Sequence, residues 1–418
     1  MSELPQHDVG TVSSPMTYRY GHLMASRVAG IPSWTTFSED PDLISLAGGL
    51  PDTSLFGAEL HADLLSEVAY ANSPLALQYG PTRGLAKTKE CALEVMAAEG
   101  LRAQVDQIMI TTGAQQGLDL LCRSFLEPGD VVIAEGPTFP GAILPLRAAE
   151  AEVVQIPMDE EGLLVEEIPA TVKALRAQGK RVKFIYVVPT FQNPSGKTLS
   201  LERRAQLLSI AGELELPIIE DNPYGLVRYE GDPLPTIRAM DPDADVIYLG
   251  TFSKILGPGL RVGWLLAPPE VLAAVDLGKQ CADLCPPTTS QLLINTYFDR
   301  GQWRHYLDLQ IDAYRRRRDI LLAALPDILP AGSRWTVPEG GLFVWVTLPE
   351  GMDSRRLSQL SLEKSVSIVT GPVAYVDQTR GTHEFRLNFS AMSEERLSEG
   401  LTRLGRALRE MSPSHSVS

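Results

Sequence analysis

One lysine of the sequence stands in a short turn among hydroxyls and glycines, in the segment TFSKILGPGLRVGW, residues 251–264. This residue, Lys254, is followed seven positions later by Arg261. Its ammonium group must be solvated or paired, because lysine packs poorly in a tight turn. Three kinds of chemistry fit the pattern: phosphate binding, a salt bridge, or a nucleophilic amine.

Other residues that could bind or react each follow a short apolar run. In chain order they are Gly113, Ala114 and Gln115 after QIMITT, Phe139 after VVIAE, Asn193 after FIYVVP, and Asp221 and Tyr224 after LPIIE. A helix start presents free N–H groups that bind anions, although an ordinary turn explains the first of these equally well. A carboxylate directly after a buried strand is costly unless a cation or metal pairs with it. Together with Lys254, these residues indicate a site for a flat, phosphorylated, cationic heterocycle.

The elements that must position these residues are short β-branched runs alternating with longer helical patterns. This alternation predicts the α/β fold class, with a large domain built on a mostly parallel sheet that is covered on both faces. In such sheets ligands bind beyond the carboxyl ends of the strands, where the residues above stand. Near the C-terminus, a long helix at 302–325 precedes the runs GLFVWVTLP and EFRLNFS and a last helical pattern. This order predicts a smaller α+β domain.

The pattern divides the chain into five parts. We expect a disordered N-terminus at 1–15, an N-terminal segment at 16–50 that packs on the small domain and the active site, the large domain at 51–300, the small domain at 301–410, and a disordered tail at 411–418.

Composition restricts the partners and the compartment. A formal net charge of −15 argues against a general nucleic-acid binder. The run RRRR, Arg315–Arg318, lies in a helical pattern and is expected to form a solvated or partly paired helix face. The cysteines form no CxxC pair, and neither a leader segment nor a stretch long enough to span a bilayer is found. We therefore expect a reduced, cytoplasmic protein that binds no membrane.

Five motifs together resemble one enzyme family. They are LQYGPTRG, NPSGKTLS, EDNPYG, TFSKILGPGLRVGW and GGLFVWVTLP, and the resemblance runs from ISLAGGLPDTSLF to EFRLNFS. The chain resembles the fold-type I pyridoxal-phosphate enzymes, in particular the class I/II aminotransferases of the 2-aminoadipate/kynurenine aminotransferase group. The resemblance implies pyridoxal 5′-phosphate as cofactor and Lys254 as the lysine that carries it covalently.

The resemblance also implies the roles of the other cofactor-binding residues. Asp221 matches the carboxylate that pairs with the pyridine N–H and keeps the ring protonated. Asn193 and Tyr224 match the residues that hydrogen-bond the phenolic oxygen, and Phe139 matches the aromatic residue stacked on the ring. The residues that match the phosphate-binding group are Gly113, Ala114, Gln115, Thr251, Ser253 and Arg261.

Three further residues match substrate-binding or subunit-bridging positions. Arg386, in FRLNFS, matches the arginine that binds the substrate α-carboxylate, although a surface pairing with Glu384 is the alternative. Gly49 and Asn193 match positions that lie against the substrate. Tyr79 matches a tyrosine that reaches the cofactor phosphate of the neighbouring subunit, which implies a homodimer with shared active sites. A core aromatic is the other interpretation of Tyr79.

The implied function is transfer of the α-amino group of an L-amino acid to a 2-oxo acid, expected to be 2-oxoglutarate, with Lys254, Asp221 and Tyr224 as catalytic residues. A racemase, β-lyase or decarboxylase on the same fold is the alternative, because the shared residues do not decide the outcome. The domain also occurs in transcription regulators behind a DNA-binding domain, for which we expect no room ahead of residue 18.

The amino donor stays open at this point. The segment MTYRYGHLMASRVAGIPSWTTF has AGIPSW where relatives commonly have an arginine-containing S-x-I-R-E pattern. Arg19 or Arg27 could meet a distal carboxylate, but no register fixes either residue. A broad, aromatic or branched donor is therefore as well supported as 2-aminoadipate.

Overall fold

The computed structural model describes residues 40–411. The predictions for residues 1–39, including those for Arg19 and Arg27, and for 412–418 lie outside the described residues. The helices are α1 Ala58–Ala76, α2 Ala86–Ala98, α3 Ala114–Phe125, α4 Pro140–Ala148, α5 Ile168–Ala177, α6 Leu201–Leu214, α7 Ile237–Met240, α8 Pro269–Ala282, α9 Thr288–Asp299, α10 Trp303–Ile328, α11 Ser354–Leu362 and α12 Glu394–Met411. The strands are β1 Ile44–Ser45, β2 Ile108–Thr111, β3 Val131–Gly136, β4 Glu152–Asp159, β5 Gly162–Leu163, β6 Val182–Val187, β7 Ile218–Asp221, β8 Val246–Thr251, β9 Gly263–Leu266, β10 Arg334–Trp335, β11 Phe343–Thr347, β12 Val366–Ser367, β13 Val369–Thr370 and β14 Glu384–Asn388.

The larger sheet has eight strands in the order β2-β9-β8-β7-β6-β3-β4-β5. The five strands from β8 to β4 in this order are parallel, whereas β9 is antiparallel to both of its neighbours. Apolar side chains alternate between the two faces, and a separate hydrophobic core forms on each. The predicted α/β fold with a mostly parallel sheet is confirmed. Apolar runs alone did not reveal that β9 runs in the opposite direction, because a buried strand has the same pattern either way.

A second sheet of four antiparallel strands, in the order β10-β11-β14-β13, forms the C-terminal part of the structure. Helices α10 and α12 pack against each other beside it. Strand β1 pairs in parallel with β12, and the Asn388 N–H donates to the Leu46 carbonyl. The chain just before residue 50 is therefore attached to the C-terminal sheet. The domain boundaries at 50/51 and 300/301 stay predictions.

The arginine run on α10 differs from its prediction. Arg317 and Arg318 are only 6% and 3% exposed. Arg317 pairs with Asp52 at 2.7 Å, and Arg318 pairs with Glu230 at 2.5 Å. The expected face was solvated or partly paired: the pairing is present, but these two residues are buried and not solvated, because the helical period places them beside the buried Tyr314 and Leu321.

Neither a membrane-spanning helix nor a metal-binding cluster is found within residues 40–411. No helix in this range is both long and apolar enough to cross a membrane. The same range contains no group of histidine, cysteine and carboxylate side chains arranged to hold a metal ion.

Candidate active site

A cavity of about 390 Å³ lies beyond the carboxyl ends of the parallel strands. Its lining includes twelve of the fourteen candidate residues from the sequence: Gly49, Ala114, Gln115, Phe139, Asn193, Asp221, Tyr224, Thr251, Ser253, Lys254, Arg261 and Arg386. The other wall residues are Leu50, Leu118, Val188 and Pro223. Gly113 lies directly behind the wall and contacts Arg261, whereas Tyr79 is elsewhere.

Asp221 ends β7 and is buried at the floor of this cavity. Burial is the largest influence on its carboxyl group and raises the pKa to about 6. Two interactions oppose that rise: the Tyr186 hydroxyl donates to Oδ2 at 2.7 Å, and the positive charge of Lys254 is close. At neutral pH the carboxyl group is therefore mainly an anion although it is only 6% exposed, which suits a cationic ring nitrogen.

Lys254 lies in the turn after β8 and projects toward Gly49. Its Nζ donates to the Gly49 carbonyl at 2.7 Å. Burial and, to a smaller extent, the positive charges of Arg386 and Arg261 together lower the amine pKa to about 8, against the opposing charge of Asp221. An amine with such a pKa is neutral in a substantial fraction of molecules near pH 8, as a nucleophile or proton carrier must be.

The start of α3 and the turn after β8 form one concave, polar wall. Gly113 caps α3 with φ +76°, and a Cβ atom there would lie 2.5 Å from Arg261 Nη2. Arg261 is itself in the left-handed region, with φ +54°. Opposite, Thr251 Oγ1 donates to Ser253 Oγ at 2.8 Å. N–H groups of a helix start, two hydroxyls and a guanidinium are the donor set that a phosphate group requires.

An ion pair between the buried Lys279 and the partly exposed Asp283 supports this wall from behind. Lys279 Nζ donates to Asp283 Oδ1 at 2.8 Å and to Gln116 Oε1 at 2.7 Å. Asp283 Oδ2 accepts from the Thr112 hydroxyl at 2.7 Å. The network connects the end of α8 to both sides of Gly113. Sequence reasoning missed it because Lys279 and Asp283 look like an ordinary i,i+4 pair on a helix.

Phe139 forms the side of the cavity at the start of α4. Its ring packs so closely on Gly141 that a Cβ atom at that position would collide with it. The Gly141 carbonyl accepts a hydrogen bond from Gln115 Nε2 at 2.7 Å, which connects the start of α3 to that of α4. The geometry leaves an aromatic face on the cavity, as the sequence predicted.

Arg386 reaches the cavity from β14 of the second sheet and is 2% exposed. Its Nη1 donates to Asn193 Oδ1 at 2.6 Å, its Nη2 donates to the Ala47 carbonyl, and the guanidinium lies 4.2 Å from the centre of the Phe343 ring. Nε has no hydrogen-bond partner among the described residues. Burial is the main influence and lowers the guanidinium pKa to about 10.

No carboxylate within residues 40–411 pairs with Arg386. The alternative pairing with Glu384 is not formed, because that carboxylate accepts from the Tyr375 hydroxyl at 2.8 Å instead. A buried cation without an anion is costly, and a substrate carboxylate would compensate its charge.

Tyr224 lines the cavity near Phe343 of β11 and Lys254. Its ring meets that of Phe343 edge to face, with the centroids 5.8 Å apart, and Lys254 Nζ is 5.9 Å from its centroid. Burial raises the pKa of the hydroxyl above its ordinary range, so the hydroxyl keeps its proton.

Tyr79 is 76% exposed and does not line the cavity of its own chain. The interpretation as a core aromatic is wrong. A role at the site of a neighbouring subunit stays a prediction.

Comparison with known proteins places this geometry in a family. The model of the aminotransferase class I and II family matches residues 44–404. The chain is 41% identical to aromatic-amino-acid aminotransferase 1 of Thermococcus litoralis over 89% of each sequence. Its structure is similar to that of Pyrococcus horikoshii kynurenine aminotransferase, with a TM-score of 0.84, 41% identity and coverage of 89% of this chain and 92% of that one. It is also similar to LysN, the α-aminoadipate aminotransferase of Thermus thermophilus, with a TM-score of 0.85, 33% identity and coverage of 94% and 97%.

The fold and the site thus define a fold-type I enzyme that transfers amino groups with pyridoxal phosphate. The chain belongs to the class I and II aminotransferases. The predicted cofactor and the predicted amino-group transfer are confirmed at the level of the family. The residues of the cavity fit that cofactor, since a phosphate-type donor set, an aromatic face, a buried carboxylate and a lysine surround one space.

Proposed function

We propose that this protein transfers the α-amino group of aromatic and other large apolar L-amino acids to 2-oxoglutarate. The observation that carries the proposal is the buried Arg386, which no carboxylate compensates within residues 40–411. The lining of the cavity also includes the apolar residues Leu50, Leu118, Val188 and Pro223. Two similar proteins are an aromatic-amino-acid aminotransferase and a kynurenine aminotransferase, which supports an aromatic donor.

In this proposal the polar wall at Gly113, Ala114, Gln115, Thr251, Ser253 and Arg261 holds the cofactor phosphate. Phe139 packs on the ring, Asp221 faces the ring nitrogen, and Asn193 and Tyr224 reach the phenolic oxygen. When bound, pyridoxal phosphate supplies a sink for the electron pair left on the substrate Cα as its proton departs.

The substrate is held and deprotonated by residues of this chain. Arg386 binds the α-carboxylate with its two Nη groups, a task for which a guanidinium has the right planar fork. The Gly49 carbonyl, which accepts a hydrogen bond from Lys254 Nζ, lies beside the substrate in this proposal. The Lys254 amine, with its pKa lowered to about 8, first removes the Cα proton as a base and then donates a proton as an acid in the step toward the product.

A donor panel tests this function. Phenylalanine, tyrosine, kynurenine, leucine, 2-aminoadipate and aspartate are each supplied with 2-oxoglutarate, and glutamate formation is measured. We expect kcat/KM for the aromatic donors to exceed that for 2-aminoadipate and aspartate by about tenfold, because an aromatic side chain gains apolar contacts with the cavity lining that a carboxylate side chain does not. A preference for 2-aminoadipate would contradict the donor class, and loss of substrate without glutamate would indicate a lyase or racemase.

We also propose a homodimer with shared active sites. Tyr70, Leu77 and Tyr79 are exposed large apolar residues in and just after α1, and the start of the same helix lines an apolar groove of about 660 Å³ that includes Phe56 and Leu260. Mixed dimers of Lys254→Ala and Tyr79→Ala chains test the proposal, because one of their two sites would contain neither change. Activity that appears on mixing two inactive variants is expected. Monomers in light scattering, or no recovery on mixing, would contradict it.

A cytoplasmic location is the last part of the proposal. All four cysteines are unpaired in the structure, two of them buried, as suits a reducing compartment.

A further inference from the structure

Tyr186 lies in the middle of the large sheet, two strands from Lys254, and has no place in the function proposed above. It is fully buried on β6 and pairs in register with Ile219 of β7. Since side chains alternate along a strand, Tyr186 is on the same face as Ile219 and Asp221. Its hydroxyl donates to Asp221 Oδ2 at 2.7 Å.

This hydrogen bond occupies only one oxygen of the Asp221 carboxyl group. The other oxygen, Oδ1, accepts no hydrogen bond from residues 40–411, and the residue lines the cavity. A hydrogen bond to the charged form of a buried carboxyl favours that form and fixes its orientation. Tyr186 thus leaves one oxygen of an oriented carboxylate for a ligand.

We propose that Tyr186 is a positioning residue for the cofactor: by donating to Asp221, it keeps that carboxylate ionised and oriented toward the ring nitrogen. The inference rests on the role of Asp221 in the proposed function. Burial raises the pKa of Asp221, and the hydrogen bond from the Tyr186 hydroxyl lowers it. Without that hydroxyl, the carboxyl group would therefore become neutral at a higher pH.

Other titratable groups also act on Asp221. Lys254 favours its charged form, whereas Glu135, from the end of β3, and Tyr224 would oppose it if ionised. Burial raises the pKa of Glu135 to about 8 and that of Tyr224 above the ordinary range, so both are mainly neutral at pH 7. Tyr186 is the only group of these that donates a hydrogen bond to the carboxyl.

The structure contains a matched control on the other flank of β7. Tyr248 of β8 is equally buried and also donates to a buried carboxyl group, but its partner is Glu99 at 2.6 Å. It pairs in register with Glu220 and so faces away from Asp221. Tyr248→Phe removes the same atom from the same sheet without removing a bond to Asp221.

The test compares Tyr186→Phe and Tyr248→Phe with the unaltered protein. The dissociation constant of pyridoxal phosphate is measured by equilibrium dialysis between pH 5 and 8, in the Lys254→Ala background so that only non-covalent binding counts. We expect Tyr186→Phe to weaken binding about tenfold at pH 7, the size of a hydrogen bond to a charged group. The pH at which binding is half lost should also move upward. Tyr248→Phe should change neither value.

A double-mutant cycle with Asp221→Asn separates the inference from its premise. If Asp221→Asn weakens binding and Tyr186→Phe then adds nothing, the inference holds. If Asp221→Asn weakens binding but Tyr186→Phe alone does not, or if both tyrosine variants weaken binding equally, the inference is overturned. If Asp221→Asn itself leaves binding unchanged, the assigned role of Asp221 fails.

A second measurement leaves Tyr186 unaltered, so its result does not depend on whether a tyrosine variant folds. In protein labelled with ¹³C at the aspartate carboxyls, the Asp221 signal is identified by its absence from Asp221→Asn. We expect that signal to report an ionised carboxyl at pH 7.5 in the cofactor-free protein. A protonated Asp221 at that pH would overturn the inference.

Discussion

The two sides of the cavity are built in different ways. On the cofactor side, Asp221 and the turn from Thr251 to Lys254 follow neighbouring strands of one sheet, and Gly113 opens the helix after another strand. On the substrate side, Arg386 comes from a second sheet and contacts Asn193 and Ala47, which are far away in sequence. Sheet register alone positions the first group, whereas the second depends on how the two sheets are held together.

The largest expected effect concerns the cofactor side. Lys254→Ala should leave the fold and non-covalent cofactor binding largely intact, because the amine makes a single hydrogen bond within residues 40–411, to the Gly49 carbonyl. Turnover should fall by at least about a thousandfold, since no other lysine within residues 40–411 lines the cavity. Steady-state kinetics, dialysis and circular dichroism measure the three properties. Turnover close to that of the unaltered enzyme would contradict the role of this lysine.

The next effect isolates the substrate side. Arg386→Lys keeps the charge but loses the planar fork that contacts both Asn193 and Ala47. We expect kcat/KM for the amino donor to fall by about a hundredfold, while the dissociation constant of pyridoxal phosphate stays within about twofold. Equal losses in donor efficiency and cofactor binding would show that the two sides are not separate.

A third prediction concerns the attachment of the substrate side to the rest of the molecule. Arg317 donates to Asp52 at 2.7 Å and to the Ser390 carbonyl at 2.6 Å, so it connects α10, the segment after Gly49 and the end of β14. Arg317→Met leaves Asp52 buried without a cation and should lower the free energy of unfolding by about 3 kcal/mol. Urea denaturation measures the change.

The neighbouring arginine gives the matched control. Arg316 is exposed on the same helix and pairs with Glu394 at 2.9 Å. Arg316→Met should cost less than about 1 kcal/mol, as is usual for a surface ion pair. Equal losses of unfolding free energy in the two variants would mean that the buried pair of Arg317 with Asp52 stabilises the fold no more than a surface ion pair does.

The smallest expected effect is electrostatic: the charge of Arg386, on the substrate side, influences the pKa of Lys254, on the cofactor side. Lys254 has a pKa lowered to about 8, so its amine should react with acetic anhydride in the cofactor-free protein with a midpoint near pH 8 rather than 10.5. Below that midpoint the amine is protonated and unreactive. Because the positive charge of Arg386 contributes to the lowering, Arg386→Met should shift the midpoint upward. Mass spectrometry of the Lys254 peptide provides the measurement, and an unmoved midpoint would contradict the coupling.

The same contrast explains what could be predicted from the sequence. The strand-end rule led directly to Asp221, Lys254 and the helix start at Gly113, because parallel strands bring their carboxyl ends to one edge. Arg386 and Gly49 were found only through resemblance to a family, since no local pattern shows which long-range contacts they make. Tyr186 was missed because an aromatic within an apolar strand looks like any core residue until the register shows that it shares a face with Asp221.

The buried arginines of α10 were missed for a similar reason. A run of four arginines suggests a solvated surface, yet Arg317 and Arg318 point inward toward carboxylates and carbonyls from distant segments. Partners of this kind lie up to 265 residues away in the sequence, so only the folded chain shows that the charges are paired.

The central claim is that Lys254 and Arg386 together carry out amino-group transfer on an aromatic donor. The most direct test is the absorption spectrum of the purified holoenzyme as single amino acids are added without any oxo acid. With phenylalanine or kynurenine we expect the visible band of the lysine-bound cofactor to be replaced by the shorter-wavelength band of its amine form, in step with release of the oxo acid. A cofactor band that persists while the amino acid is racemised or cleaved would contradict the claim.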